Sequence, residues 1–167
     1  MLEIVSDPDL AIDIRKIILL LLGPKEVETI SFMFMDGVVF FGYTVFHEDL
    51  KKYFILINIK VKEMLNEKEG VEIVCAMLAH EIGHIKDDQK TGIHLKESDY
   101  FLLSKELGAD KEALVFLGRI YRNPKKILLK QIEFAKDTVL KCGHATKKDK
   151  ALTTFLAKKR QEALAIS

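Results

Sequence analysis

The sequence predicts an α+β fold, mainly helical with a small three-stranded sheet, and three observations carry that prediction. A block of β-branched and aromatic residues over 28–60 is interrupted by turn chemistry. Apolar residues recur at helical spacing on both sides of it, and Gly or Pro punctuates those helical stretches at their ends. With 167 residues the chain is long enough to bury a sizeable core without disulfide staples. One domain over 1–167 is expected, with a core at 28–122 and basic helices over 124–165 packed on it.

Taken in order, Ser6-Asp7-Pro8 reads as a helix start, with a polar cap and Pro in the first turn, and "LAIDIRKIILLLL" runs from it until Gly23-Pro24. In "TISFMFMDGVVFFGYTVF" two apolar runs flank Asp36-Gly37, a pair suited to the positive φ angles of a tight hairpin turn. "YFILINIK" reads as a third strand. Asn66 with Glu69 three residues later resembles a capping box, so a helix is expected to start there. Val71, Val74, Leu78, Ile82 and Ile85 then fall on one narrow stripe of that helix, with His80 and His84 off it. The polar segment "KDDQKTGIHLKES" is expected to be a loop of functional length. Beyond it come a long helix through "DYFLLSKELGADKEALVFLGRIY", another from Asn123-Pro124 to Cys142-Gly143, and a last one near 148–165.

Charge is distributed unevenly. Residues 119–167 hold 13 of the 26 Lys and Arg but 4 of the 25 Asp and Glu. Without interleaved aromatics or an Arg-rich groove, nucleic acid is not the expected partner. Solvated helix faces held to an acidic remainder account for the asymmetry, and an acidic partner at the basic C-terminal helices is the functional counterpart. Cys75 and Cys142 lie far apart and suggest a reduced compartment. The opening "MLEIVSDPDL" carries acids where a signal peptide carries bases, and the longest unbroken apolar run, Ile17 to Leu22, is too short to span a bilayer. A soluble, cytoplasmic protein is expected.

Chemistry concentrates in "CAMLAHEIGHIKDD". His80-Glu81-x-x-His84 on a helix places two imidazoles one turn apart with a carboxylate beside them, a metal clamp. A catalytic zinc ion takes three protein ligands and leaves one position for water, so a third ligand must come from a second element. Glu106 in "KELGAD" is the best candidate. Asp110, four residues on and on the same helix face, can accept the remaining N–H of a ligating His. Glu81 is left free to act as general base on the water and as proton donor to the leaving amine.

"AMLAHEIGHIKDD" followed by "SKELGADKEAL" resembles the glutamate-zincins, in the branch of HtpX-like proteases, CaaX prenyl endopeptidases and the compact soluble minigluzincins. The match covers about forty residues, Cys75 to Ala113. The resemblance implies a zincin-like metallopeptidase domain that binds Zn²⁺ through His80, His84 and Glu106. It also implies Glu81 as the catalytic base, Asp110 behind the ligands, and a peptide or protein as substrate. Membrane helices of the larger members have no counterpart here, so the soluble members are the nearer comparison. The oxyanion donor of the family is not anchored in this sequence; His94, Arg119, Tyr121 and His144 are candidates. "YFILINIK" is expected to be the sheet edge that aligns an extended substrate. Other readings stay open: a repressor-cleaving intracellular zincin, whose later motif normally has Asn at the Asp110 position; a di-iron bundle, which would need a second Glu-x-x-His; and a non-enzymatic structural zinc or helical binding module.

Overall fold

The computed structural model describes residues 3–37, 40–91 and 99–166. Helix α1 (Pro8–Leu22) starts as its sequence dictates: Asp7 caps it, its Oδ1 accepting from Leu10 N–H at 2.9 Å, and Pro8 occupies the first turn. It ends at Gly23, whose φ of 91° lies in the region that favours glycine. Leu10, Ile14, Ile18 and Leu21 form its fully buried stripe. Each such side chain contributes about 1.5–3 kcal/mol when removed from water.

The sheet has four strands, β1 (Glu3–Val5), β2 (Ser31–Asp36), β3 (Gly42–His47) and β4 (Lys52–Asn58), in the order β1-β2-β4-β3. Strand β1 adds to the expected three, pairing antiparallel with β2. The expected hairpin at Asp36-Gly37 is corrected by this order. Gly37 does turn the chain, with φ of 77°, and its N–H donates to Asp36 Oδ1, but β2 and β3 are not neighbours. Instead β3 and β4 form the antiparallel hairpin, and β4 pairs parallel with β2 on its other side. The reason lies in β4 itself: Ile55 and Ile57 are fully buried, and a central position satisfies both sides of this apolar strand. It follows that "YFILINIK" is not an edge; among the described residues β1 and β3 end the sheet.

Past the single turn α2 (Val61–Met64), helix α3 (Lys68–Thr91) begins two residues later than the proposed cap at Asn66, whose N–H instead donates to Glu63. The stripe Val74, Leu78, Ile82 and Ile85 packs into the core as expected. Residues 86–91 of the expected loop are helical, and the rest of that loop, 92–98, lies outside the described residues.

Helix α4 (Asp99–Leu117) crosses α3 at contact distance. A Cβ at Gly83 would sit 2.3 Å from the Ala109 carbonyl oxygen, so only glycine allows the crossing. Helices α5 (Pro124–Lys141) and α6 (Lys147–Ile166) complete the chain. Lys130 of α5 reaches Glu72 of α3 at 2.6 Å, an instance of C-terminal base answering acid elsewhere in the chain. Among the described residues no helix is long and apolar enough to cross a membrane.

The crossing makes a prediction. Gly83→Ala improves intrinsic helix propensity by about 1 kcal/mol, yet it forces two backbones apart in a packed core, at a cost of roughly 1–3 kcal/mol or more. Net destabilisation in urea unfolding is the expected result, together with weaker metal binding as α4 withdraws from α3.

Candidate metal centre

Helical periodicity stacks His80 and His84 on one side of α3, their ring centroids 4.6 Å apart at 79°. That side is not solvent, because α4 covers it. Across the Gly83–Ala109 contact, α4 presents Glu106 between the two imidazoles: Oε2 lies 3.2 Å from His80 Nε2, and Oε1 lies 3.4 Å from His84 Nε2. The ligand atoms of His80, His84 and Glu106 all fall within 4.8 Å of one another.

These spacings suit zinc. With bonds of about 2.0–2.2 Å and tetrahedral angles, neighbouring ligand atoms stand roughly 3.3–3.6 Å apart, close to the 3.2 and 3.4 Å that separate the two imidazole Nε2 atoms from the nearest Glu106 oxygens. The donor set, two nitrogens and one carboxylate, is that of catalytic zinc sites, which keep a fourth position open. A His80/His84/Glu106 cluster of this kind is consistent with a catalytic Zn²⁺ site.

Behind the triad, His80 Nδ1 stands 2.9 Å from Asp110 Oδ1, an arrangement that puts its proton on Nδ1 and frees Nε2. Sequence reasoning missed the next residue. Arg160, delivered by α6, donates from Nε to Asp110 Oδ2 at 2.8 Å and from Nη2 to Asp110 Oδ1 at 2.7 Å, and its Nη1 lies 3.1 Å from Glu106 Oε2. Its Nη2 also comes within 3.2 Å of His80 Nδ1, since both nitrogens share the same Asp110 oxygen. Arg160 is 7% exposed. The sequence did hold a signal for it: with Ala157 and Leu164 it occupies the buried stripe of α6, and a charge on an apolar stripe calls for a buried partner.

Electrostatics follow from this packing. For His80, burial and the Arg160 charge favour the neutral form, but Glu106 and Asp110 outweigh them and raise its pKa from 6.5 to about 9. Burial works against the charged form of Glu106, yet His80 and Arg160 hold its carboxyl well below the usual range. Asp110 is likewise lowered: burial opposes ionisation, and His80 and Arg160 overcome it.

A pH dependence results. A histidine whose folded pKa is raised contributes stability fully present below its unfolded value of 6.5 and lost as pH rises through about 9. The depressed Glu106 contributes stability above 4.5 that is lost as pH falls through its lowered value. Chelator-treated protein should therefore melt at progressively lower temperature from pH 6.5 to 9. Zinc competes with that same proton, so zinc-loaded protein should gain stability over chelated protein across the window. Thermal unfolding series at several pH values, with chelator and with zinc, check both trends.

Glu81 is 7% exposed and lies against β3. Thr44 of that strand places its hydroxyl 2.8 Å from Glu81 Oε2 and 3.0 Å from the Glu81 carbonyl oxygen. A single O–H can donate to one of them at a time, so Thr44 fixes the carboxylate from the strand side. Two residues earlier, a Cβ on Gly42 would meet Met77 at 2.8 Å and Glu81 Cγ at 3.3 Å. The edge strand thus runs directly over the motif helix at its glutamate.

The oxyanion candidates are not gathered here. Arg119 donates to the carbonyls of Leu21 and Leu22 at the end of α1. Tyr121 pairs with Cys75, more than a turn before His80, and burial raises its pKa. His144 is exposed between α5 and α6, and His94 lies outside the described residues.

Compared with protein-family models, curated proteins and solved structures, the chain matches none. The site speaks through its own geometry. His80-Glu81-x-x-His84 with Glu106 and Asp110 matches a zinc-metallopeptidase catalytic site that uses a glutamate general base, set in a mostly helical zincin-like α+β fold.

Proposed function

We propose that this protein is a zinc-dependent endopeptidase of the HtpX-like and minigluzincin branch, acting in the cytoplasm as one domain over residues 1–167. The observation that carries the reading is the convergence of His80, His84 and Glu106 at zinc-ligand spacing beside a glutamate that is none of the three. His80, His84 and Glu106 hold the metal, and Asp110 orients His80. Bound zinc supplies a Lewis acid for the scissile carbonyl and lowers the pKa of the attacking water. Glu81 takes the proton of that water and gives it to the leaving amine nitrogen. Thr44 keeps the Glu81 carboxylate on station. An extended peptide or protein segment pairs along β3, which ends the order β1-β2-β4-β3, so main-chain hydrogen bonds present its carbonyl to the site. Lys147, Lys148 and Lys158, exposed on α6, suit an acidic segment of a substrate or partner protein.

The test is reconstitution. Purified protein stripped with chelator should not cleave casein, and one equivalent of Zn²⁺ should restore cleavage. His84→Ala and Glu106→Ala should each fail to retain stoichiometric zinc. Stoichiometric zinc surviving in either variant would overturn the ligand set, and cleavage indifferent to chelation would overturn the mechanism.

A further inference from the structure

The two carboxylate oxygens of Glu106 stand in different surroundings. Oε1 faces His84 Nε2 at 3.4 Å. Oε2 faces His80 Nε2 at 3.2 Å and also pairs with Arg160 Nη1 at 3.1 Å. One oxygen therefore answers to α3 alone, and the other is shared with a cation from α6. A carboxylate can grip a metal ion through one oxygen or through both, and this asymmetry bears on which of the two Glu106 does.

Arg160 is not placed to let go of Oε2. Its Nε and Nη2 donate to the two oxygens of Asp110, Nη2 also reaches Gln131 Oε1 at 3.4 Å, and Nη1 is turned to Glu106. Glu106 and Asp110 lie one turn apart on α4, and the planar guanidinium spans both, which a compact ammonium would not do at once. Swinging Nη1 away would strand a charged group in the interior without its partner. The bonds to Asp110 thus hold the guanidinium against Glu106 as well.

An ion bound among His80, His84 and Glu106 meets that guanidinium as a like charge. At a few ångströms in a buried site the repulsion is strong, and it grows as the ion shifts toward Oε2. An oxygen already paired with a cation is also the weaker donor to a second one. Both effects direct the ion to Oε1, on the side of His84. The site then offers two nitrogens and a single oxygen, a set that zinc accepts with one further position left for water. Ions such as Mn²⁺ and Ca²⁺, which collect six or more ligands and chiefly oxygens, lose the second carboxylate oxygen they would use.

We infer that Arg160 is a positioning residue of the metal centre: by pairing with Glu106 Oε2 it confines the carboxylate to one-oxygen ligation and makes the site select a four-coordinate ion. The inference rests on the metal-centre reading above and is independent of whether peptides are cleaved.

The experiment loads chelator-stripped full-length protein with Co²⁺, whose visible absorption is several-fold more intense in four-coordinate sites than in five- or six-coordinate ones. The parent should bind stoichiometric Co²⁺ with the intense spectrum. Arg160→Gln, and Arg160→Met combined with Asp110→Leu, free Oε2 by different routes, and thermal unfolding identifies whichever is folded. In a folded variant the absorptivity should fall several-fold, and the preference for Zn²⁺ over Mn²⁺, read by competition with a fluorescent chelator, should narrow by about tenfold or more. Asp110→Asn is the control. It weakens the support of His80 but leaves Arg160 facing Glu106, so it should lose affinity yet keep the intense spectrum. An unchanged spectrum in a folded Arg160 variant, or the same loss of intensity in Asp110→Asn, overturns the inference and leaves the metal centre standing. Should neither Arg160 variant fold, a crystal structure of the zinc-loaded parent decides. One Glu106 oxygen on the ion with the other still on Arg160 supports the inference, and both oxygens on the ion overturn it. A parent that binds neither Co²⁺ nor Zn²⁺ refutes the metal centre and the inference together.

Discussion

Glu81→Gln is expected to bind zinc and unfold like the parent while its kcat for casein or any cleavable peptide falls by about 10²–10⁴-fold. The substitution keeps size and polarity. The amide oxygen of Gln can still accept from Thr44, so the strand contact at 2.8 Å has a counterpart in the variant. What disappears is the group that takes a proton from water and returns it to the amine. His80, His84 and Glu106 are untouched, so zinc measured by mass spectrometry should remain stoichiometric. Full cleavage by Glu81→Gln would sink the general-base assignment, whereas loss of zinc along with activity would show that Glu81 is a ligand. A structural zinc module predicts a third outcome: a parent that cleaves nothing and a variant that keeps every binding property.

Arg160→Met should be the most destabilising single change at the metal centre. It removes the cation that faces Asp110 and Glu106 and leaves both carboxylates in a protein interior, with Asp110 only 3% exposed. Breaking a buried pair from one side costs about 3–5 kcal/mol, which urea unfolding of chelator-treated protein would register directly. Removing Asp110 as well separates stability from function. An apolar replacement of the whole pair is often neutral, so Arg160→Met with Asp110→Leu should recover much of the loss. His80 would then lack the acceptor for its Nδ1 proton, and zinc affinity should stay about 10–100-fold below that of the parent. Arg160→Lys should rescue poorly, since an ammonium cannot reproduce the fork that grips both oxygens of Asp110. Equal zinc affinity in the double variant and the parent would remove Asp110 from the account.

Much of this centre could be read from the chain because its parts repeat at helical spacing. His80 with His84, and Glu106 with Asp110, are each four apart, and a helix turns such pairs into neighbours without help from the rest of the fold. Asp7-Pro8 and Gly23 mark the ends of α1 for equally local reasons. What the sequence concealed depends on partners distant along it. Thr44 meets Glu81 across 37 residues and Arg160 meets Asp110 across 50, and nothing near either one announces the other. Gly37 does take a positive φ, but Asp36 stays in β2, and the identity of the strand beside β2 was decided by which strand most needed two neighbours. That misplaced the substrate edge by one strand. Strand β1, three residues long, is too short for any periodicity to show.

The grip of α6 on Asp110 also sets an order of events during synthesis. A ribosome adding about 5–20 residues per second takes several seconds to travel from Asp110 to Arg160, which lie 50 residues apart. Through that interval the nascent chain already owns both histidines and both carboxylates but not the guanidinium that balances them. The metal centre is therefore balanced only after α6 has been made, 50 residues beyond Asp110.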